Sequence, residues 1–217
     1  MRKVLAIVLV LGLFAAPLGA NLPKHQNSVQ ALTSEGNAIC TTWSVNKPKG
    51  LWVTAAHCVM QTGIVEDTGD AYTVTWPLEI EGKPALVVLI SPFGSGWDLA
   101  LISADVHEPA LKLGKYPEVG DEVTVFGLPG GMRGYFPSWV RVSNPFHMWG
   151  KDDLSYWKAN MIFDGNIWPG HSGSPILDRK GRVISVAQGG FADRFHGLTL
   201  GVPWSVLKDF LTDAQEQ

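Results

Sequence analysis

The sequence is short of charged residues and of cysteine. Of its 217 residues 17% are charged, whereas an ordinary soluble domain has about 25%. The lysines and arginines form no long run, and a protein that binds a nucleic-acid backbone needs a concentrated basic face. The net charge of -3 therefore argues against nucleic acid as a partner. Beyond residue 20 no apolar run reaches the roughly 20 residues that cross a bilayer, so we expect no stable membrane insertion there.

The N-terminus has the three-part pattern of a secretory signal peptide. Two cations next to Met1 are followed by an unbroken apolar run over residues 4–16 and then by small residues up to Ala20. The alternative is a membrane anchor, but the run is too short to span a bilayer. We therefore expect residues 1–20 to be a signal peptide, cleaved near Ala20, and the protein to be secreted or periplasmic.

Cys40 and Cys58 are the only two cysteines in the chain. In an exported protein an even pair is most economically a disulfide, whereas cytosolic cysteines are more often free or bound to metal. The pair also lacks the Cys-x-x-Cys or His-x-x-His spacing of a zinc site. We therefore expect a disulfide between Cys40 and Cys58, and no bound metal.

The apolar residues fall into short stretches that predict strands. These stretches are rich in Val, Ile, Thr and aromatic side chains and end at Gly, Pro, Asp or Asn. The counts of 24 Gly and 14 Pro are also typical of a chain with many turns. Ten segments are interpreted as strands: Leu51–Ala55, Tyr72–Trp76, Ala85–Ile90, Leu99–Ser103, Glu122–Phe126, Ser138–Ser143, Trp157–Phe163, Pro175–Leu177, Arg182–Ala187 and Leu198–Val202.

Two hairpins and one helix complete the pattern. Hairpin turns are expected at 81–84 (Glu-Gly-Lys-Pro) and at 178–181 (Asp-Arg-Lys-Gly). Apolar residues recur at helical spacing behind Pro203, which predicts a helix over residues 204–213. Many short strands with frequent turns indicate an all-β sandwich or barrel.

Three separated segments carry residues with catalytic chemistry. His57 lies in Thr-Ala-Ala-His-Cys, Asp98 begins Asp-Leu-Ala-Leu, and Ser172 lies in Pro-Gly-His-Ser-Gly-Ser-Pro. Each segment alone has a structural explanation, as a turn or a strand cap. Together they fit one mechanism, because a serine hydroxyl needs a base to accept its proton and a carboxylate to orient that base. We predict His57 as the base, Asp98 as the orienting carboxylate and Ser172 as the nucleophile.

The glycine two residues before Ser172 predicts an oxyanion hole. Gly170 has no Cβ, so its backbone can turn an N–H group toward a developing negative charge. With the N–H of Ser172 it would form a donor pair for a tetrahedral intermediate, and each such donor contributes about 3 kcal/mol. Gly170 and Ser172 are therefore the predicted oxyanion-hole residues.

In the chain order His, Asp, Ser these segments resemble the motifs of the trypsin-like (chymotrypsin-fold) serine proteases. The resemblance covers most of residues 21–217 and places Cys40 as the partner of the cysteine after the histidine. It implies two packed antiparallel β-barrels, over about residues 30–112 and 116–203, followed by a short C-terminal helix. It also implies a serine endopeptidase that hydrolyses a protein or peptide substrate through an acyl-enzyme, with no cofactor.

Within this family the chain resembles the HtrA-type branch. The segments 119–123 (Val-Gly-Asp-Glu-Val), 126–129 (Phe-Gly-Leu-Pro) and 164–175 are similar to that branch. HtrA-type proteases carry a binding module after the catalytic domain, and none is expected in a chain that runs to Gln217. In digestive relatives a freshly cut N-terminus pairs with an aspartate before the serine. Because His171 stands at that position, we expect activity without that cleavage.

The resemblance also places uncharged residues around the primary specificity pocket: Asn166 at its base, Gln188, Gly189 and Gly190 on the facing wall, and Gly201 near its back. A pocket that selects Lys or Arg usually needs a buried carboxylate, since an unpaired buried charge is very costly. We therefore expect a neutral side chain on the acyl side of the cleaved bond. Trp97 and Trp168 flank Asp98 and the serine turn and are candidates to line the cleft.

Two other functions stay open beside a neutral-specific endopeptidase. A glutamate-specific endopeptidase of the same fold is possible because His196 lies close to Gly201 in the sequence. A catalytically silent, protease-like binding module is the other alternative. Its expected sign is the loss of a triad residue, and here none is lost.

Overall fold

The structure is a computed structural model that describes residues 26–64, 71–91, 97–130, 134–148, 159–190 and 197–216. The predicted signal peptide and His196 lie outside these ranges. No helix within the described ranges is long and apolar enough to cross a membrane. In chain order the elements are β1 (Val29–Ser34), β2 (Asn37–Asn46), β3 (Leu51–Thr54), β4 (Met60–Ile64), β5 (Ala71–Thr75), β6 (Leu78–Ile80), β7 (Lys83–Ile90), β8 (Ala100–Ala104), β9 (Glu122–Gly127), β10 (Phe136–Met148), β11 (Ala159–Asp164), β12 (Pro175–Leu177), β13 (Val183–Gly190), β14 (Leu198–Gly201) and the helix α1 (Trp204–Glu216).

Six strands from the first part of the chain form a closed antiparallel barrel. Their order around the barrel is β1, β2, β3, β8, β7 and β6. Leu32 of β1 pairs with Ile80 of β6, which closes the barrel. Strands β4 and β5 pair with each other as a separate two-stranded sheet. Closure pairs all six barrel strands on both sides, so they present no edge to other chains.

The second barrel is also closed and antiparallel. Its strand order is β10, β11, β14, β13, β12 and β9, and β9 pairs with both β10 and β12. The 13-residue strand β10 is the longest of the described strands. Two closed barrels followed by one short helix confirm the predicted fold class.

Three apolar clusters form the core, and they follow the alternation of side chains along the strands. One cluster, which includes Trp52, fills the first barrel. Another, which includes Phe163, fills the second barrel. The third combines Val53 of the first barrel, Phe126 of the second and Leu207 of α1. Since Trp52 and Val53 are neighbours on β3, this strand contributes to the barrel interior with one face and to the contact between the barrels with the other.

Both predicted hairpin turns are confirmed. The turn at 81–84 lies where β6 pairs with β7, and the turn at 178–181 connects β12 to β13. Strands β1, β2, β4 and β6 were not predicted. In β2 the reason is visible, because Thr41, Thr42 and Ser44 are buried and donate their hydroxyls to backbone carbonyls. A search for apolar alternation does not mark such a strand.

Candidate active site

His57 lies at the end of the first barrel, in the turn that follows β3. Strand β3 ends at Thr54, and Ala56–Cys58 form one turn of 3-10 helix. A disulfide joins Cys58 to Cys40 of β2, with the two Cα atoms 6.1 Å apart. The disulfide therefore fixes the turn that carries His57 to β2, through the cysteine that follows the histidine.

Asp98 binds both the backbone and the ring of His57. Its Oδ1 accepts the N–H of His57 at 2.9 Å, and its Oδ2 lies 2.7 Å from Nδ1. The Asp98 side chain is 5% exposed and that of His57 is 45% exposed. Burial lowers the pKa of His57, but the hydrogen bond and the charge of Asp98 together raise it by more, so the pKa lies above its usual value. Because the carboxylate accepts at Nδ1, the neutral ring carries its proton there and keeps Nε2 as an acceptor.

Ser172 lies in a turn of the second barrel that is held by the first barrel. The N–H of Thr41 donates to the Ser172 carbonyl at 2.9 Å, and the Thr41 hydroxyl donates to the Gly170 carbonyl at 2.8 Å. Gly173 has a φ of +81°, and a Cβ there would collide with the Thr41 carbonyl. Glycine at position 173 therefore allows both the backbone conformation and the close approach to β2.

The structure brings the three predicted triad residues to one end of the junction between the barrels, although not into one continuous hydrogen-bonded chain. His57 and Asp98 are in direct contact. Ser172 is bonded to Thr41, which adjoins the disulfide that holds the His57 turn. The Ser172 Oγ donates to the carbonyl of Gln188 at 3.3 Å, so the hydroxyl points toward β13 of the second barrel.

The backbone of the serine turn orients the N–H groups of Gly170 and Ser172. The carbonyl before Gly170 accepts the N–H of Gly130 at 2.9 Å, and the carbonyl before Ser172 accepts the N–H of Ser174 at 2.9 Å. In a trans peptide the N–H points away from the carbonyl, so both N–H groups face away from these contacts. Within the described part of the chain neither has a hydrogen-bond acceptor. Both are thus available to a ligand.

The predicted pocket residues differ in what they expose. Asn166 and Gly190 are exposed, and Gly189 is half-buried. Gln188 is 2% exposed, and its amide oxygen accepts a hydrogen bond from Asn160 Nδ2 at 2.5 Å. The group of Gln188 that contacts Ser172 is therefore its backbone carbonyl, and its side chain is bonded to Asn160. The exposure of Asn166 does not fit the base of a closed slot.

The structure corrects the placement of Gly201. This residue is buried in β14, and a Cβ there would lie against Ser185, Phe163 and Ile176. These side chains belong to the interior of the second barrel. The prediction that Gly201 lies at the back of an open slot is therefore wrong, and its missing side chain makes room for the barrel core instead.

The two tryptophans near the site differ in exposure. Trp168 is 64% exposed beside the serine turn, whereas Trp97 is half-buried. Their contribution to the cleft stays a prediction.

The sequence assigns no role to two threonines of the site, although Thr54 stands in the same motif as His57. The hydroxyl of Thr54 donates to the Thr41 carbonyl at 2.8 Å, and Thr41 in turn holds the serine turn. The available signal was the position of Thr41 next to Cys40 and of Thr54 three residues before His57. Neither position says that the Thr41 hydroxyl reaches the second barrel, or that the Thr54 hydroxyl binds Thr41 within the first barrel.

Within the described ranges, one group of ligating side chains is close enough to hold a metal ion. Its members are Cys40, His57 and Cys58. Both sulfur atoms form the disulfide and are not thiolates, which are the form of cysteine that binds metal. The group therefore does not have the chemistry of a metal site.

The sequence profile of the trypsin-like peptidase domain matches residues 40–186, a range that contains His57, Asp98 and Ser172. The chain belongs to the trypsin-like peptidase family. This confirms the predicted serine-type peptidase at the level of the family, and the two closed barrels agree with it.

A sequence relative supports the same family. Protease Do-like 2, chloroplastic, of Arabidopsis thaliana is 30% identical in an alignment 178 residues long, and the match covers 76% of this chain and 26% of that protein. The chain thus spans about a quarter of the length of this curated relative.

Solved structures share the two-barrel fold. The active form of the Rv3671c protease from M. tuberculosis has a TM-score of 0.65 at 20% identity, covering 91% of this chain and 86% of that one. The inactive form of the same protease has a TM-score of 0.67 at 18% identity, covering 91% and 95%. The HtrA-type protease AlgW with a decapeptide has a TM-score of 0.61 at 20% identity, covering 83% and 52%. At these identities the likenesses show the shared two-barrel fold.

Proposed function

We propose that the protein is an exported serine endopeptidase with His57, Asp98 and Ser172 as its catalytic triad. The observation that carries this proposal is the double contact of Asp98 with His57, which leaves Nε2 as the basic nitrogen. The fastening of the Ser172 turn to Thr41 supports it, because it holds the nucleophile at the same end of the first barrel. Membership of the trypsin-like peptidase family supports hydrolysis of peptide bonds as the reaction.

In the proposed reaction the Ser172 hydroxyl turns from the Gln188 carbonyl to His57 Nε2 by rotation about its Cα–Cβ bond. Nε2 takes the proton while Oγ attacks the substrate carbonyl carbon, and the carbonyl oxygen becomes negative. The N–H groups of Gly170 and Ser172 donate to that oxygen. The proton on Nε2 then passes to the leaving amine as the C–N bond breaks. Water that loses a proton to Nε2 attacks the acyl carbon, the ester bond between that carbon and Ser172 Oγ breaks, and the proton passes from Nε2 to Oγ as the carboxylic acid product leaves. Asp98 stabilises the imidazolium that forms in each step.

The proposed substrate is a protein or peptide with a neutral side chain on the acyl side of the cleaved bond. Gln188, Gly189 and Gly190, the candidates for the pocket wall, carry no charge that could compensate a buried cation, and the exposed Asn166 carries none either. The structural neighbour AlgW is known with a decapeptide and with a tripeptide, which supports peptide binding by this fold. Glutamate selection is the alternative, with His196 as its candidate partner.

Labelling with a serine-directed fluorophosphonate tests the reaction class. The wild type should be labelled at Ser172, and Ser172→Ala should not. Ser205→Ala, which removes an exposed serine of α1, is the matched control and should label like the wild type. Labelling that persists in Ser172→Ala would contradict the nucleophile. A folded wild type that is not labelled would favour the silent binding module.

A peptide-library cleavage profile tests the specificity. Neutral residues should dominate on the acyl side of the cut. A profile dominated by Arg or Lys would contradict the proposal, and one dominated by Glu would establish the alternative.

Protein sequencing tests the proposed export. Full-length protein made in a bacterial host should be recovered outside the cytoplasm with its N-terminus near Asn21. Retention in the cytoplasm with residues 1–20 intact would contradict the signal-peptide assignment. A matched chain that begins at Asn21 should stay in the cytoplasm.

A further inference from the structure

His171 stands between the two expected oxyanion donors and is completely buried, at 0% exposure. Its neighbours in the turn are more open, since Trp168 and Pro169 are exposed and Ser172 is half-buried. A polar side chain leaves water at low cost only when other hydrogen bonds replace those it made to water. The partners of the imidazole therefore show what the burial of His171 achieves.

Both ring nitrogens of His171 are bonded to backbone groups. The N–H of Trp168 donates to Nδ1 at 3.2 Å, and Nε2 lies 3.1 Å from the Phe136 carbonyl oxygen. Nδ1 also lies 3.2 Å from the Trp168 carbonyl oxygen, which accepts the backbone N–H of His171. Since an amide N–H only donates and a carbonyl only accepts, a ring with its proton on Nε2 satisfies the Trp168 N–H and the Phe136 carbonyl. The ring thus connects the first residue of the serine turn to the first residue of β10.

The space for this ring is provided by Gly127 at the end of β9. A Cβ at Gly127 would lie 3.1 Å from Cδ2 of His171 and would collide with the Ser174 hydroxyl. The imidazole therefore fills a slot between β9, β10 and the turn. The backbone N–H of His171 also donates to the Trp168 carbonyl at 3.0 Å, so the main chain and the side chain of one residue close the same turn.

We propose that His171 is a positioning residue that holds the turn from Trp168 to Ser172 in the shape that presents the N–H groups of Gly170 and Ser172 to a substrate carbonyl. This role rests on the proposed peptidase function. The ring touches no reacting atom and acts through the backbone on either side of it. Oxyanion contacts strengthen in the transition state, so loss of the ring should lower kcat more than it changes KM.

The test is the hydrolysis of a p-nitrophenyl ester by wild type, His171→Ala and His171→Asn. The Asn amide oxygen can take the place of Nδ1 and accept the N–H of Trp168, but the shorter side chain does not reach Phe136. We expect His171→Ala to lower kcat about 100-fold with KM within about threefold, and His171→Asn to recover at least tenfold of that loss. His107→Ala is the matched control, because it removes an exposed histidine far from the turn in sequence, and it should behave like the wild type.

Three results would overturn the role of His171. One is a folded His171→Ala with kcat within threefold of wild type. Another is a loss in His171→Asn equal to that in His171→Ala, and the third is a loss that lies wholly in KM. If His171→Ala does not fold, His171→Asn and His171→Gln each retain one of the two hydrogen bonds. Both should then lower kcat at unchanged KM, and wild-type kcat in both overturns the role.

Failure of the peptidase proposal gives a different result. A folded wild type with neither ester hydrolysis nor fluorophosphonate labelling rejects the peptidase and with it this role of His171. An active wild type with insensitive His171 variants rejects only the role of His171.

Discussion

Asp98 determines both the orientation and the proton affinity of His57, and the proposed base is the neutral ring. Since Asp98 raises the pKa of His57 above 6.5, kcat/KM should rise with pH through a midpoint above 6.5. Asp98→Asn should lower kcat about 10⁴-fold by stabilising the wrong tautomer and should move the midpoint to lower pH. Both effects are measured by the kinetics of ester hydrolysis between about pH 5 and pH 9, which brackets the ordinary pKa of histidine. A midpoint in Asp98→Asn equal to that of the wild type would contradict the role of Asp98.

The same raised pKa affects stability in one direction. A group with a higher pKa in the folded state stabilises the fold fully below its unfolded pKa, and this contribution is lost as the pH rises through the folded value. The His57–Asp98 contact should therefore stabilise the fold most below pH 6.5, the ordinary pKa of histidine.

Thr41 is the residue through which the first barrel holds the serine turn. Its hydroxyl donates to the Gly170 carbonyl at 2.8 Å and accepts the N–H of Leu128 at 3.0 Å. Thr41→Val keeps the shape but leaves both backbone groups unsatisfied, so it should lower the free energy of unfolding by about 1–3 kcal/mol and lower kcat. Thr41→Ser keeps the hydroxyl and should restore kcat. Urea unfolding and ester hydrolysis measure the two effects, and equal kcat in Val and Ser variants would show that the hydroxyl is not needed.

The residues of the site were predictable from sequence to different extents. His57, Asp98 and Ser172 stand in motifs whose chemistry requires those residue types, so the pattern singles them out as candidates, and the structure adds the direct contact of Asp98 with His57. The bond between Thr41 and Gly170 joins positions that are distant in the chain, and nothing in either segment encodes it. Gly201 was misplaced because a glycine that leaves space for core side chains looks, in sequence, like a glycine that leaves space for a substrate.

The disulfide is an element-scale constraint, because it encloses the hairpin of β2 and β3. Cys40 and Cys58 are separated by 18 residues, and closing a loop of that length stabilises a fold by about 3 kcal/mol. The double variant Cys40→Ala, Cys58→Ala should lower the free energy of unfolding by about that amount. A reductant should destabilise the wild type similarly and leave the double variant unchanged. Guanidinium unfolding with and without reductant measures this, and no effect of reductant on the wild type would contradict it.

At the same scale, strands were predictable where their residues are apolar. Leu51–Thr54 and Pro175–Leu177 are buried throughout, and both follow from the apolar pattern. Strand β10 runs beyond the predicted Ser138–Ser143 on both sides and through two prolines. Its pairing with β11 contains irregularities between Val142 and His147, where a proline costs little because ladder hydrogen bonds are interrupted. Interruptions of that kind depend on the partner strand and are absent from the local sequence.

At the scale of the whole molecule, α1 completes the apolar contact between the barrels. Leu207 is fully buried there, so Leu207→Ala should lower the free energy of unfolding by about 2–5 kcal/mol. Because the cluster spans both barrels, unfolding should remain one cooperative transition. Urea unfolding followed by tryptophan fluorescence and by circular dichroism measures both expectations.

The control for Leu207→Ala is Asp209→Ala, at an exposed position of the same helix, which should change stability by less than about 0.5 kcal/mol. Two separated transitions in the wild type would show that the barrels unfold independently and would contradict the shared core.

Helix α1 follows all the described strands in the chain. The order in which the elements are synthesised therefore matters for the contact between the barrels. Strands of the first barrel leave the ribosome before Ser172 exists, and domains fold as their chains emerge. The apolar contact between the barrels, however, includes Leu207 and Phe210, so it stays incomplete until α1 has been made. A partly synthesised chain would therefore carry His57 and Asp98 while the turn of Ser172 is not yet firmly docked against the first barrel. The contact between the barrels therefore depends on a helix that is synthesised after all the strands of both barrels.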